Sequence, residues 1–110
     1  MTETALLAAV VTRVGGKSTV SVAGEIDVAT APRLRGALSI ALSHHSRWIE
    51  VDLARVDFCD CSGLSVLLWA RGRARRQGSS LRVTGVTSPL VRKVFRKTGT
   101  DTALTEPEQG

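Results

Sequence analysis

The segment from Trp48 to Leu53 sets Ile49, Val51 and Leu53 in strict alternation with Glu50 and Asp52, and that pattern restricts the architecture more than any other in the chain. Alternate residues of a strand face opposite sides of its sheet, so this strand buries one side and leaves the other polar. The same period recurs where Val20 and Val22 alternate with Thr19 and Ser21, and where Leu81 and Val83 alternate with Arg82 and Thr84. Strands covered on both faces would read apolar throughout. A doubly wound nucleotide-binding sheet is therefore disfavoured, and helices are expected mostly on one face.

Helical signals fall between the strands. Ala5 to Val14 and Ser18 to Ala23 read as a hairpin about Gly15 and Gly16. Thr30 is placed to cap a first helix with Pro32 in its first turn; Leu34, Ala37, Leu38, Ala41 and Leu42 form its stripe, and it should end near His44. Ser62 to Gln77 reads as a second helix stopped by Gly78. Ser88 to Thr98 reads as a third, with Ser88-Pro89 opening it and Gly99 closing it. A short last strand is expected over Ala103 to Thr105. The fold class is thus α/β: a two-layer single domain over residues 1–110, with an N-terminal β-hairpin followed by right-handed β-α units, a mixed sheet of four or five strands and helices mostly on one face.

With 110 residues and 43% hydrophobic content, such a domain can bury a core without disulfides or metal. Cys59 and Cys61, two apart in an extended segment, face opposite ways, and reduced thiols are expected. The apolar run Ala5 to Val11 follows Glu3 and lacks the basic flank of a signal peptide. No stretch approaches the roughly 18 residues of a membrane span, so a cytoplasmic location is expected.

The net charge of +5 is regional. Residues 1–60 hold seven acids and six bases, whereas residues 61–100 hold nine bases and no acid. On the third helix Arg92, Lys93, Arg96 and Lys97 lie opposite Val91, Val94 and Phe95. Such a face could meet nucleic acid or an acidic membrane surface. No helix-turn-helix pattern or aromatic stacking platform accompanies it, and a solvated face is the simpler reading.

Catalytic and metal signatures are weak. Cys59-x-Cys61 with the adjacent pair His44-His45 lacks zinc-site spacing. Neither a Gly-x-Ser-x-Gly elbow nor a Gly-x-x-x-x-Gly-Lys loop occurs. Neither catalysis nor a cofactor is expected.

The informative segment runs from Asp57 through Asp60-Cys61-Ser62-Gly63 to Leu68, joining a strand end to the most apolar helix. Asp60 or Ser62 could cap that helix, and Gly63 could let another protein approach the backbone. A phosphate here would gain from the helix dipole and the exposed N–H groups. Leu64, Leu67 and Leu68 are expected to face the core.

Gly24-Glu25-Ile26-Asp27, Val51-Asp52-Leu53 through Asp60-Cys61-Ser62-Gly63-Leu64, and Ser88-Pro89 through Thr98-Gly99 resemble, in order and spacing, the STAS domains and among them the bacterial anti-sigma factor antagonists. The resemblance implies a non-enzymatic partner switch. The antagonist would bind an anti-sigma factor of the histidine-kinase-like ATPase fold, free a sigma factor for transcription, and lose that binding when a serine at the helix entry is phosphorylated. The family reads Asp-Ser-Ser/Thr-Gly-Leu and carries phosphate on the serine after Asp, where this chain has Cys61. Three outcomes follow: phosphorylation at Ser62, a constitutively active antagonist, or a thiol sensor at Cys61. The implied partner surface comprises Glu25, Asp27, Asp60, Cys61, Ser62 and Gly63. An accessory STAS subunit of a transporter or sensory complex is the other role the resemblance allows.

Overall fold

The computed structural model describes residues 7–100 and Leu104. Four strands and three helices follow in the order β1 (Ala8–Val14), β2 (Lys17–Ile26), α1 (Ala31–Ser43), β3 (Trp48–Cys59), α2 (Cys61–Arg76), β4 (Ser80–Thr84) and α3 (Pro89–Thr98). The strands form one mixed sheet in the order β1-β2-β3-β4. β1 pairs antiparallel with β2, while β2–β3 and β3–β4 are parallel.

The alternation in the sequence is the alternation of the sheet. Val20, Ile49, Val51, Leu53, Leu81 and Val83 are buried, and with Leu34, Leu38, Leu64, Leu67, Val91 and Phe95 of the helices they form one core cluster. In register beside them, Thr19 pairs with Glu50 and Glu50 with Arg82, all on the polar side. There Lys17 pairs with Glu50 at 2.8 Å. The Lys17 hydrogen bond, reinforced by Thr84 and by the charges of Lys17 and Arg82, outweighs desolvation and lowers the Glu50 pKa. At the same end of the strands, buried hydroxyls tie the loops together: Ser18 Oγ lies 2.6 Å from Ser46 Oγ, and Ser79 Oγ donates to Ser46 O at 2.6 Å.

Three sequence expectations change. β3 runs on to Cys59 rather than stopping at Leu53, because two register shifts place extra β3 residues opposite Ser21–Ala23 and Gly24–Glu25. Such bulges bend a strand and re-aim its side chains, and Gly24, at φ 116°, supplies backbone that other residues rarely adopt. Leu104, the described member of the expected last strand, is instead helical and buried, its N–H donating to Thr100 O; Ala103 and Thr105 lie outside the described residues, as do Ala5 and Leu6 of the expected first strand. Thr30 occupies the N-cap position of α1, but its side chain makes no capping bond. Its hydroxyl donates to Glu25 O at 2.8 Å and accepts from Asp27 N–H at 2.9 Å.

Candidate functional site

The carboxyl ends of β2 and β3 bring the predicted residues together. Glu25 sits beside Phe58 and Ile26 beside Cys59 in the ladder, and Asp60 N–H donates to Ile26 O at 3.1 Å. The chain then turns into α2. Of the two capping candidates, Asp60 is the one that caps: its Oδ1 accepts from Ser62 N–H at 2.8 Å and from Gly63 N–H at 3.4 Å, and its carbonyl accepts from Leu64 N–H. Ser62 is the second helical residue and not the cap.

This geometry revises the expected phosphate cradle. The N–H groups of Ser62, Gly63 and Leu64 are already engaged by Asp60, so the first turn offers an anion much less than an uncapped helix would. Cys61 is exposed and Ser62 half-buried. Cys59 and Cys61 are both free thiols facing opposite environments, Cys59 fully buried. Burial, reinforced by the charges of Asp60 and Cys61, pushes the Cys59 thiol up to about 12.

Gly63 plays a different part from the one its sequence suggested. It faces inward, not outward: a Cβ there would stand 2.6 Å from Cys59 Sγ and 2.6 Å from Ile26 Cγ2. The missing side chain lets the helix seat against the ends of β2 and β3 and does not open the backbone to a partner. Asp27 is likewise committed, its Oδ1 accepting from Ala29 N–H at 2.9 Å and Thr30 N–H at 3.0 Å to shape the entry of α1. Glu25 is exposed, as is Asp57 beside it in the rim. Each helix entry thus holds an aspartate, Asp60 over the first-turn amides of α2 and Asp27 over the turn that precedes α1.

Sequence reasoning missed the apolar part of this surface. Val28, 76% exposed, lies in the turn before α1; Phe58 lies at the end of β3, and Leu90, 60% exposed, in the first turn of α3. All three belong to segments at the carboxyl end of the parallel strands, and Ser88 Oγ, donating to Asp57 O at 3.1 Å, ties the start of α3 to that end. Leu68 was expected in the core but is 39% exposed on α2. It sits at the margin of the apolar stripe, one turn beyond buried Leu64. Large exposed apolar groups rimmed by carboxylates mark an interaction surface rather than a catalytic cleft. Trp69 adds a feature no motif announced, lying between Arg35 of α1, 4.0 Å from its ring centre, and Arg73 of α2, 5.8 Å away. No cluster of three or more His, Cys, Asp or Glu side chains suited to a metal occurs among the described residues, and no helix there is long and apolar enough to cross a membrane.

Comparison with known proteins agrees with this construction. The family profile described as "Mlab, STAS domain" matches residues 9–106. The anti-sigma-B factor antagonist of Listeria monocytogenes is 36% identical over 78 residues, covering 71% of this chain and 68% of that protein. The protein of the same name from Bacillus subtilis is 35% identical over 80 residues, covering 73% and 72%. Among solved structures, an anti-sigma factor antagonist from Mycobacterium paratuberculosis superposes with a TM-score of 0.76 at 28% identity, covering 89% of this chain and 82% of that one. Unphosphorylated SpoIIAA superposes at 0.75 with 22% identity over 93% and 90% of the two chains, a likeness of fold. A one-sided sheet, a capped α2 entry and a profile match across most of its length make this chain a member of the STAS domain family, among the anti-sigma factor antagonists.

Proposed function

We propose that this chain, as a single STAS domain over residues 1–110, is an anti-sigma factor antagonist that binds an anti-sigma factor of the histidine-kinase-like ATPase fold and thereby releases a sigma factor. Binding takes place in the cytoplasm and regulates transcription without catalysis by this chain. The observation that carries the reading is the α2 entry, where exposed Cys61 and half-buried Ser62 share the carboxyl end of the parallel strands with the exposed apolar groups Phe58, Val28 and Leu90. Apolar anchors within a polar rim supply most of the energy in such interfaces. The carboxylates of the rim steer a partner of opposite charge, with Glu25 and Asp57 turned to face it and Asp27 and Asp60 holding the helix entries in place.

Control by phosphorylation narrows to one side chain. Cys61 has no hydroxyl, so Ser62 is the phosphoacceptor candidate at this entry. A phosphate there adds about −1.5 to −2 charges beside the Asp60 carboxylate. Like-charge repulsion and the cost of desolvating the phosphate would then oppose docking.

Co-purification with the tagged chain tests the proposal. The reading requires an ATPase-fold anti-sigma factor that is retained by the parent and lost from Phe58→Ser or Val28→Ser, both at exposed positions where the fold should persist. Recovery of a stable partner without an ATPase domain would sink it. With that partner and ATP, phosphate should appear on Ser62 or on no residue; label elsewhere would remove the proposed control.

A further inference from the structure

The outer edge of β4 and the adjoining side of α3 enclose a groove of about 420 Å³ that includes none of the residues at the α2 entry. Arg82, Arg92 and Arg96 line it over an apolar base containing Val83, Val86 and Phe95, and among the described residues no acid takes part. Among the described strands β4 is an edge, paired only with β3. Ser80 N–H donates to Arg47 O of the segment entering β3. Alternate residues of a strand turn their peptide groups to opposite sides, so Leu81 and Val83 direct N–H and C=O outward, away from β3. The groove therefore combines an unpaired strand edge with three guanidinium groups.

We infer that this groove binds an acidic polypeptide segment in extended conformation, which adds to the sheet beside β4 and sets its carboxylates against Arg82, Arg92 and Arg96. Edge addition satisfies the outward peptide groups of Leu81 and Val83. Charge then selects the segment. Arg92 is already oriented, its Nη2 donating to Val86 O at 2.8 Å. On the adjoining strand the Glu50 carboxylate is paired with Lys17 and accepts from Thr84 Oγ1; the charge of Arg82 also acts on it, so an incoming acid would share Arg82 with Glu50. Nucleic acid would meet the same charge, but Phe95 is 1% exposed and gives bases nothing to stack on. A duplex or single strand also has no backbone donors and acceptors spaced to pair with a β-strand.

The probe is a fluorescein-labelled peptide of about ten residues alternating Val and Glu, long enough to span a strand of ordinary length. It is titrated against the full chain by anisotropy in about 0.15 M salt, where exposed charges are screened beyond about 8 Å. Saturable binding is expected, weakened about five-fold or more in the Arg82→Gln/Arg96→Gln double variant. Arg92 is kept in that variant because it holds Val86. Two further peptides, N-methylated at alternate residues in one register or the other, keep every charge; methylation in the register that faces β4 should abolish binding. Equal binding of both methylated peptides would overturn edge addition, and unchanged binding by the double variant would overturn the arginine site. Tighter, arginine-dependent binding of an oligonucleotide of similar length would reassign the groove to nucleic acid.

Discussion

Replacing Gly63 by alanine tests how the α2 entry is built. An alanine Cβ would lie 2.6 Å from Cys59 Sγ and from Ile26 Cγ2, and 3.3 Å from Ile26 Cβ. Both neighbours are fully buried and held in the ladder where Ile26 pairs with Cys59, so neither can swing aside. Overpacking of this kind costs about 1–3 kcal/mol. Alanine's better helix propensity returns at most about 1 kcal/mol, and less in a first turn. The net expectation is a loss of about 1–2 kcal/mol. With a urea m-value of about 2 kcal/mol/M for a domain of this size, the unfolding midpoint should fall by about 0.5–1 M.

The same helix supplies the control. At Gly72 a Cβ would meet only Arg76 Nη1 at 3.8 Å, an ordinary contact in mid-helix, so Gly72→Ala should stabilise the chain by up to about 1 kcal/mol. One substitution in one helix is thus expected to act with opposite sign at two positions. A Cys59→Ala background should relieve part of the Gly63→Ala penalty, because the new methyl enters space vacated by Sγ. That coupling should reach about 0.5 kcal/mol or more. If Gly63→Ala proved as stable as the parent, or gained as Gly72→Ala does, the close seating of α2 on β2 and β3 would be refuted.

The remaining expectations concern the neighbours of that glycine. Asp60→Ala removes the acceptor of two first-turn N–H groups and should cost about 0.5–2 kcal/mol in urea unfolding, whereas Asp60→Asn should retain most of the stability. With a disulfide reagent near pH 8 the native chain should titrate one thiol, Cys61, and release the second, Cys59, only on unfolding. Because burial raises the Cys59 pKa from 9.0 to about 12, the unfolded chain loses that proton first. Stability should therefore be unaffected by this group below pH 9 and fall as pH rises towards 12. Comparison with Cys59→Ala isolates the effect, and a parent curve parallel to the variant's over that range would contradict it.

Much of the fold was legible because its signals are local. The Ile49-Val51-Leu53 alternation specified a half-buried strand, and Ser88 accepts from Val91 N–H as a cap should. Gly99, at φ 71°, ends α3 where the sequence placed its end. Tertiary contacts decided what was misread. Two bulges interrupt the alternation of β3, so a period of two could not follow the strand to Cys59. Leu68 and Leu64 look alike in a helical projection, and only the packing of α1 and the sheet shows where the apolar stripe ends. Val28, Phe58 and Leu90 are scattered in sequence, and their common location exists only once the parallel strands align their ends.

Asp60 and Gly63 carry opposite obligations that together explain what can vary between them. Asp60 must reach forward to the amides of Ser62 and Gly63, and Gly63 must stay bare to fit against Ile26 and Cys59. Cys61, between them, is exposed and carries neither obligation. A cysteine in place of the family's serine therefore costs the fold little, and its consequences fall on whatever meets this surface. The entry keeps its shape and apolar groups, while the position with no obligation carries a thiol and not a hydroxyl. Ser62, one residue on, points about 100° further around the helix and is half-buried, so a kinase that reads the entry by shape would find its acceptor displaced. Under the proposed function, binding at the α2 entry and its control by phosphate would be separable properties, and Cys61 in place of serine would alter the second while leaving the first in place.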